Sequence, residues 1–220
     1  MPEFQGIYPA LITPMTDEQE LSEDVLRKVI EFNIESGVHG FWVAGGSGES
    51  VILDDDENQR IARIAVDQTA GRAKVIMHVG AASTRRAAVL ATHAAKVGVD
   101  AICAVPPFFY PVGDQEVTEH YRVIASATSL PFFAYNLPLT NVEITPALAA
   151  RLQDRVPQFV GLKHSSAAFI SVREFVSMGL TCFIGSCRLV LPALTMGAAG
   201  CVDGPPGCFP MPYLKIWDAF

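Results

Sequence analysis

Short apolar runs recur at fairly even intervals along the whole chain, and they constrain the fold more than any other feature. The runs are IYPALI (7–12), GFWVAG (40–45), KVIMHVG (74–80), AICAVP (101–106), PFFAYN (131–136), FVGLKH (159–164), TCFIG (181–185) and GCVDG (200–204). Most are continuous rather than alternating, which is how strands buried on both faces of a parallel sheet read. Helical patterns lie between them. SEDVLRKVIEFNIESG (22–37) puts Val25, Leu26, Val29, Ile30 and Ile34 on one stripe, with Ser22 as the N-cap and Gly37 as the stop. Residues 54–71 open with acids, where a helix dipole favours them, and residues 83–98 begin with Ser and end with Gly. Residues 114–127, 146–155, 169–178 and 189–196 continue the alternation less cleanly, and MPYLKIWDAF (211–220) reads as the start of one more helix.

Eight strands, each followed by a helix, predict a (β/α)8 barrel. An open doubly wound sheet is the other arrangement that fits the pattern. With 220 residues, half of them hydrophobic, the chain reads as one barrel domain over 1–220 that ends within the last barrel helix. An end at that point predicts exposure of Leu214, Trp217 and Phe220, and hence self-association.

Charge and composition narrow the function. The net charge is −7 and no block of Lys or Arg stands out, so a nucleic-acid partner is not expected. No apolar stretch approaches the ~20 residues that span a bilayer, and the start MPEFQGIYPALITP lacks the basic region of a signal peptide. The five cysteines show no C-x-x-C spacing and mostly sit in apolar runs. The expectation is a cytoplasmic protein acting on a small molecule.

In a barrel of this kind functional groups gather where strands end and loops begin. Strand two ends in Gly46-Ser47-Gly48-Glu49, strand three carries His78, strand five ends in Tyr135-Asn136, strand six in Lys163-His164, and Asp203 follows strand eight. Lys163 directly follows an apolar run. A lysine there either snorkels to solvent or, desolvated, gives up its proton and attacks a carbonyl. Tyr135 is one strand away, at a spacing of about 4.8 Å, close enough for a phenol to exchange a proton with a substrate oxygen. It is otherwise a packed aromatic. The stretch VAGGSGESV (43–51) lacks the Lys of a phosphate-binding loop, and position 49 is Glu where a nucleophile elbow needs Gly. What is left is a tight turn that offers N–H groups and one hydroxyl, a cradle for a carboxylate. An amine, a phenol and an anion cradle together match a 2-oxo acid.

On GIYPALITPM near the start, GGSGES (45–50), PPFFYP (106–111), YNLP (135–138) and GLKHSS (161–166), the sequence resembles the pyruvate-dependent class I aldolases related to dihydrodipicolinate synthase and N-acetylneuraminate lyase. The resemblance implies a (β/α)8 barrel in which Lys163 forms the Schiff base and Tyr135 relays protons. It implies that Gly46 and Ser47 hold the carboxylate, that the backbone near Val202 lines the pocket, and that no metal or organic cofactor is required. It further implies a homo-oligomer, dimer or tetramer, and a helical segment after the barrel that is largely missing here.

Four departures from the family pattern stand out. Gly46 replaces a hydroxyl residue. Phe108-Phe109-Tyr110 stands where relatives place a second relay tyrosine. Leu139-Thr140-Asn141 lacks the arginine of dihydrodipicolinate synthases, and Gly185-Ser186-Cys187-Arg188 lacks the acidic pair of sialic-acid lyases. The expected substrate is therefore a 2-oxo acid with a short hydroxylated or acidic tail, such as a 2-keto-3-deoxy sugar acid. Leu139, Thr140 and Asn141 would stand on one side of that tail, with Cys187 and the substrate-binding Arg188 on the other. Aldol cleavage and loss of water are both open to such an imine. Two other classes remain beside this reading: a metal-dependent barrel enzyme using His78 and His164, and a catalytically impaired or truncated relative.

Overall fold

A computed structural model describes residues 3–220. Eight parallel strands, β1 (Gly6–Pro9), β2 (Gly40–Val43), β3 (Lys74–His78), β4 (Ala101–Ala104), β5 (Phe132–Asn136), β6 (Phe159–His164), β7 (Thr181–Ile184) and β8 (Gly200–Asp203), pair in the order β1-β8-β7-β6-β5-β4-β3-β2. The two ends of that order also meet. His39 N–H donates to the Ile7 carbonyl at 3.1 Å, and Leu11 N–H to the Trp42 carbonyl at 3.0 Å. The sheet is therefore a closed (β/α)8 barrel rather than an open one. Between β1 and β8 the chains pass so closely that a Cβ on Gly200, where φ is +150°, would lie 1.9 Å from the Gly6 carbonyl oxygen. Only glycine fits there.

The helices follow in step: α1 (Glu23–Ser36), α2 (Asp55–Thr69), α3 (Thr84–Val97), α4 (Asp114–Ser126), α5 (Pro146–Arg155), α6 (Ser171–Ser177), α7 (Val190–Thr195) and α8 (Pro210–Ala219). Gly37 and Gly98 close α1 and α3 in the left-handed conformation. Asp54 and Glu57 form a reciprocal capping box on α2. Ser22 does not cap α1 through its side chain; it contributes only its carbonyl, which accepts from Leu26 N–H. The helix α8 corrects the expectation about the end of the chain. It lays Leu214 into the core at 5% exposure and sets Trp217 edge-on to His39 at 5.4 Å, so of the three apolar residues only Phe220 is exposed.

Each strand sends one residue outward and the next inward, which explains why the runs are continuous. Ile7, Phe41, Ile102, Phe132, Leu162, Cys182 and Cys201 join the layer beneath the helices. Their successors Tyr8, Trp42, Cys103, Phe133, Phe183 and Val202 fill the barrel. On β6 the residue after Leu162 is Lys163, a charged group buried to 4% exposure against the rings of the barrel interior.

Candidate active site

Lys163 and Tyr135 are direct register partners across β5 and β6, and Phe183 partners Lys163 from β7. The ammonium nitrogen stands 4.3 Å from the centroid of the Tyr135 ring and 5.5 Å from that of Trp42. Two aromatic faces thus hold the cation that burial would otherwise penalise. Tyr135 is itself held edge-on by Trp42, with centroids 5.7 Å apart and planes at 81°, and by His78, at 6.3 Å and 89°. Among the described residues the Tyr135 hydroxyl has no hydrogen-bond partner, so it is free to serve a ligand.

The loop after β2 arrives above that hydroxyl. Its turn is closed by Gly48 N–H to the Gly45 carbonyl at 3.1 Å and Glu49 N–H to the Gly46 carbonyl at 3.2 Å. Thr13 anchors it through a 2.6 Å bond to the Gly48 carbonyl. Gly48 is required, because a Cβ there would lie 2.9 Å from Ala44 Cα. Gly46 and Ser47 are exposed, and their N–H groups meet no acceptor among the described residues. A Cβ placed on Gly46 would stand 3.5 Å from the Tyr135 hydroxyl, and the Ser47 hydroxyl lies 3.4 Å from the corresponding point on Gly204, just past β8. Thus Gly46 and Ser47 face Tyr135 on one side and the end of β8, with the buried Val202, on the other.

The histidines are committed elsewhere. Val105 N–H donates to His78 Nε2 at 3.3 Å, which leaves the proton on Nδ1 to bond Ser50 Oγ at 3.2 Å. Burial, helped by the Lys163 charge and opposed by the Ala44 carbonyl, pushes the His78 pKa down to about 4, so the ring is neutral. His164 points to the opposite face of the sheet from Lys163. Its Nδ1 accepts from Asn136 Nδ2 at 3.1 Å, its Nε2–H donates to the Ala168 carbonyl at 3.0 Å, and it packs on Phe175 at 5.4 Å. Burial lowers its pKa as well. Both nitrogens of both rings are spent on protein partners, and among the described residues no group of three His, Cys, Asp or Glu side chains could hold a metal.

Asn136 is a feature that spacing alone does not reveal. Its amide makes two 3.1 Å bonds to the backbone of Ile144 besides the one to His164, tying together the ends of β5 and β6 and the far side of the loop between β5 and α5. Asp203 plays a similar part at the other side of the mouth. Its carboxylate accepts Cys187 N–H at 2.7 Å and Gly204 N–H at 2.8 Å, joining the loops after β7 and β8.

Of the residues expected around the distal end of a substrate, Leu139 and Asn141 are exposed but Thr140 is not. Its hydroxyl is turned into its own loop, onto the Leu137 carbonyl at 2.8 Å. Arg188 is exposed, and no acid pairs with it among the described residues. Tyr110 does not enter the pocket within this chain. It is 72% exposed and packs edge-on against Phe109, whose φ is +78°.

Comparison with known proteins identifies the family and the fold. The model of the dihydrodipicolinate synthetase family matches residues 3–219. The 4-hydroxy-tetrahydrodipicolinate synthase of Methanopyrus kandleri is 34% identical over 223 residues, which take in 99% of this chain and 74% of that protein. The N-acetylneuraminate lyase of Rhizobium meliloti is 33% identical over 204 residues, 91% of this chain and 67% of its own length. Among solved structures, an E. coli K12 prophage protein of the dihydrodipicolinic acid synthase family, in complex with pyruvate, superposes with a TM-score of 0.94 at 26% identity, covering 99% of this chain and 76% of that one.

Proposed function

The chain belongs to the dihydrodipicolinate synthetase family, and from that premise we propose that it is a Schiff-base lyase or aldolase in which Lys163 and Tyr135 act on a 2-oxo acid. The observation that carries this reading is the buried register pair: an amine and an unpartnered phenol on adjacent strand ends, beneath a loop with two free N–H groups.

The loop at Gly46 and Ser47 receives the carboxylate of the 2-oxo acid, and the carbonyl carbon then faces Lys163. Lys163 gives up a proton to solvent and adds as the neutral amine to that carbon, and the carbonyl oxygen leaves as water on receiving the Tyr135 proton, giving a protonated imine. Tyr135 supplies and removes protons at the departing oxygen. Cleavage of the bond between C3 and C4 sends its electron pair into the imine and forms an enamine. The proton released from the C4 hydroxyl is taken up by Tyr135, and an aldehyde departs. Protonation of the enamine carbon and addition of water release pyruvate and restore the amine. Run in reverse, the same steps condense pyruvate with an aldehyde. In the dehydratase variant the imine first loses a C3 proton, and the enamine so formed expels the C4 hydroxyl, protonated as water.

The exposed, unpaired Arg188 favours a short acidic or hydroxylated tail, and a 2-keto-3-deoxy sugar acid is the substrate class that fits. The five free cysteines accord with a reducing cytoplasm. Exposed Val51, Ile52, Phe109, Tyr110 and Leu139, all on loops at the mouth of the barrel, accord with a homo-oligomer.

The test is a panel of 2-keto-3-deoxy sugar acids and N-acetylneuraminate, with released pyruvate coupled to lactate dehydrogenase. A sugar acid should be the best substrate, and Lys163→Arg should be inactive because a guanidinium stays charged. No pyruvate from any member, or N-acetylneuraminate as the best of them, contradicts the reading.

A further inference from the structure

His78 joins two loops that reach the site from different strands, and its ring stands against the proposed relay tyrosine. Ser50, at the end of the GGSGES loop, accepts from Nδ1–H, and Val105, the first residue after β4, donates to Nε2. The ring is 3% exposed and lies edge-on to Tyr135. Space for it is kept by Gly80, where a Cβ would come within 2.7 Å of Nε2 and 3.1 Å of Val105 Cγ2. Ser50 and Val105 are both buried. A single tautomer satisfies both bonds, since Val105 offers a donor that only a bare nitrogen can accept.

We infer that His78 is a positioning residue for the carboxylate loop: in its Nδ1–H form it fixes Ser50, and through it the free N–H groups of Gly46 and Ser47, relative to Tyr135 and Lys163. This rests on the reading of Lys163 and Tyr135 given above. The chain of contact is short. Ser50 N–H closes onto the Gly45 carbonyl at 3.5 Å, so the residue that His78 holds also completes the turn that presents Gly46 and Ser47. Neutrality matters too, because a charged ring beside Lys163 would repel both the ammonium and the iminium that replaces it.

The role predicts a defect specific to carboxylate-bearing carbonyls. Borohydride trapping on Lys163 is measured over a range of pyruvate concentrations and, separately, of hydroxyacetone, which has the carbonyl and no carboxylate. Ser50→Ala and His78→Phe should each raise the half-saturating pyruvate concentration about tenfold, the loss of one or two hydrogen bonds that hold a charged ligand's cradle. The half-saturating hydroxyacetone concentration and the plateau of trapping should stay unchanged. The double variant should be no worse than His78→Phe, and His78→Gln, which can still accept from Val105, should recover part of the loss. In the unsubstituted protein, nitrogen NMR of the imidazole should show the Nδ1–H tautomer at pH 7, a readout that needs no variant to fold. An adduct whose pyruvate dependence is the same in all variants, an equal loss for both carbonyls, or an Nε2–H or charged ring overturns this inference alone. No adduct on Lys163 of the unsubstituted protein overturns it together with the reading on which it rests.

Discussion

Lys163 Nζ stands over the face of the Tyr135 ring, 4.3 Å from its centroid, and not at its hydroxyl. The ring and the hydroxyl therefore have separable jobs. The ring face stabilises the buried cation, worth about 0.5–2 kcal/mol, and the hydroxyl meets no partner among the described residues. Tyr135→Phe should keep imine formation with pyruvate near normal at equilibrium and slow turnover by about 10²–10⁴-fold, the range for a lost acid–base group. Tyr135→Leu should harm both. Trapping yields and steady-state rates for the two variants check this, and equal behaviour of Phe and Leu would remove the distinction.

The resemblance predicts a hydroxyl residue at the position of Gly46, and the structure has room for one. A Cβ there meets only the Tyr135 hydroxyl, at 3.5 Å, an ordinary contact distance. Gly46→Ser should fold normally and lower the KM for pyruvate-containing substrates by about 3–10-fold through one added bond to the carboxylate. A raised KM would mean that the carboxylate does not lie against this residue.

Arg188 provides the test of the tail. If it grips an acidic end with paired bonds, Arg188→Ala should raise KM about 10–100-fold for an acidic-tailed sugar acid. It should barely change KM for a neutral one. Equal effects on both would place the tail elsewhere, for example against exposed Leu139 and Asn141.

Stability should fall in mild acid. Burial depresses the pKa of His78 and of His120 from 6.5 to about 4. Between those values the unfolded chain binds protons that the folded rings refuse, so the contribution is full above about pH 6.5 and is lost as pH falls towards 4. Near pH 5 each ring adds a slope of about 1.4 kcal/mol per pH unit, or about 3 for the two. Urea midpoints at pH 7, 6 and 5 should fall accordingly, and His120→Gln, on α4, should reduce the slope near pH 5 by about 1.4 kcal/mol per pH unit. A flat profile from pH 7 to 5 would contradict the burial argument.

The barrel was legible because each strand buries both faces. Pairs such as Phe41-Trp42 and Phe132-Phe133 fill the two cores and leave an unbroken apolar run. The glycines that close α1 and α3 were equally plain. The short α6 and α7, seven and six residues long, carry too few turns to show a stripe. Lys163 and Tyr135 were readable because a polar group at the end of an apolar run is conspicuous. The contacts of His78 and Asn136 were not, since each ring or amide also takes a backbone partner, at Val105 and Ile144, that leaves no side-chain signature. Thr140 misled for the reverse reason: its hydroxyl looks available in sequence and is consumed within its own turn.

The central claim is that Lys163 is the nucleophile, and one measurement addresses it directly. The protein is incubated with pyruvate and borohydride, digested, and its peptides mapped by mass spectrometry. The account predicts one reduced pyruvate adduct per chain, on Lys163, and none in Lys163→Arg. An adduct on Lys74 or Lys96, or no adduct at all, would contradict it.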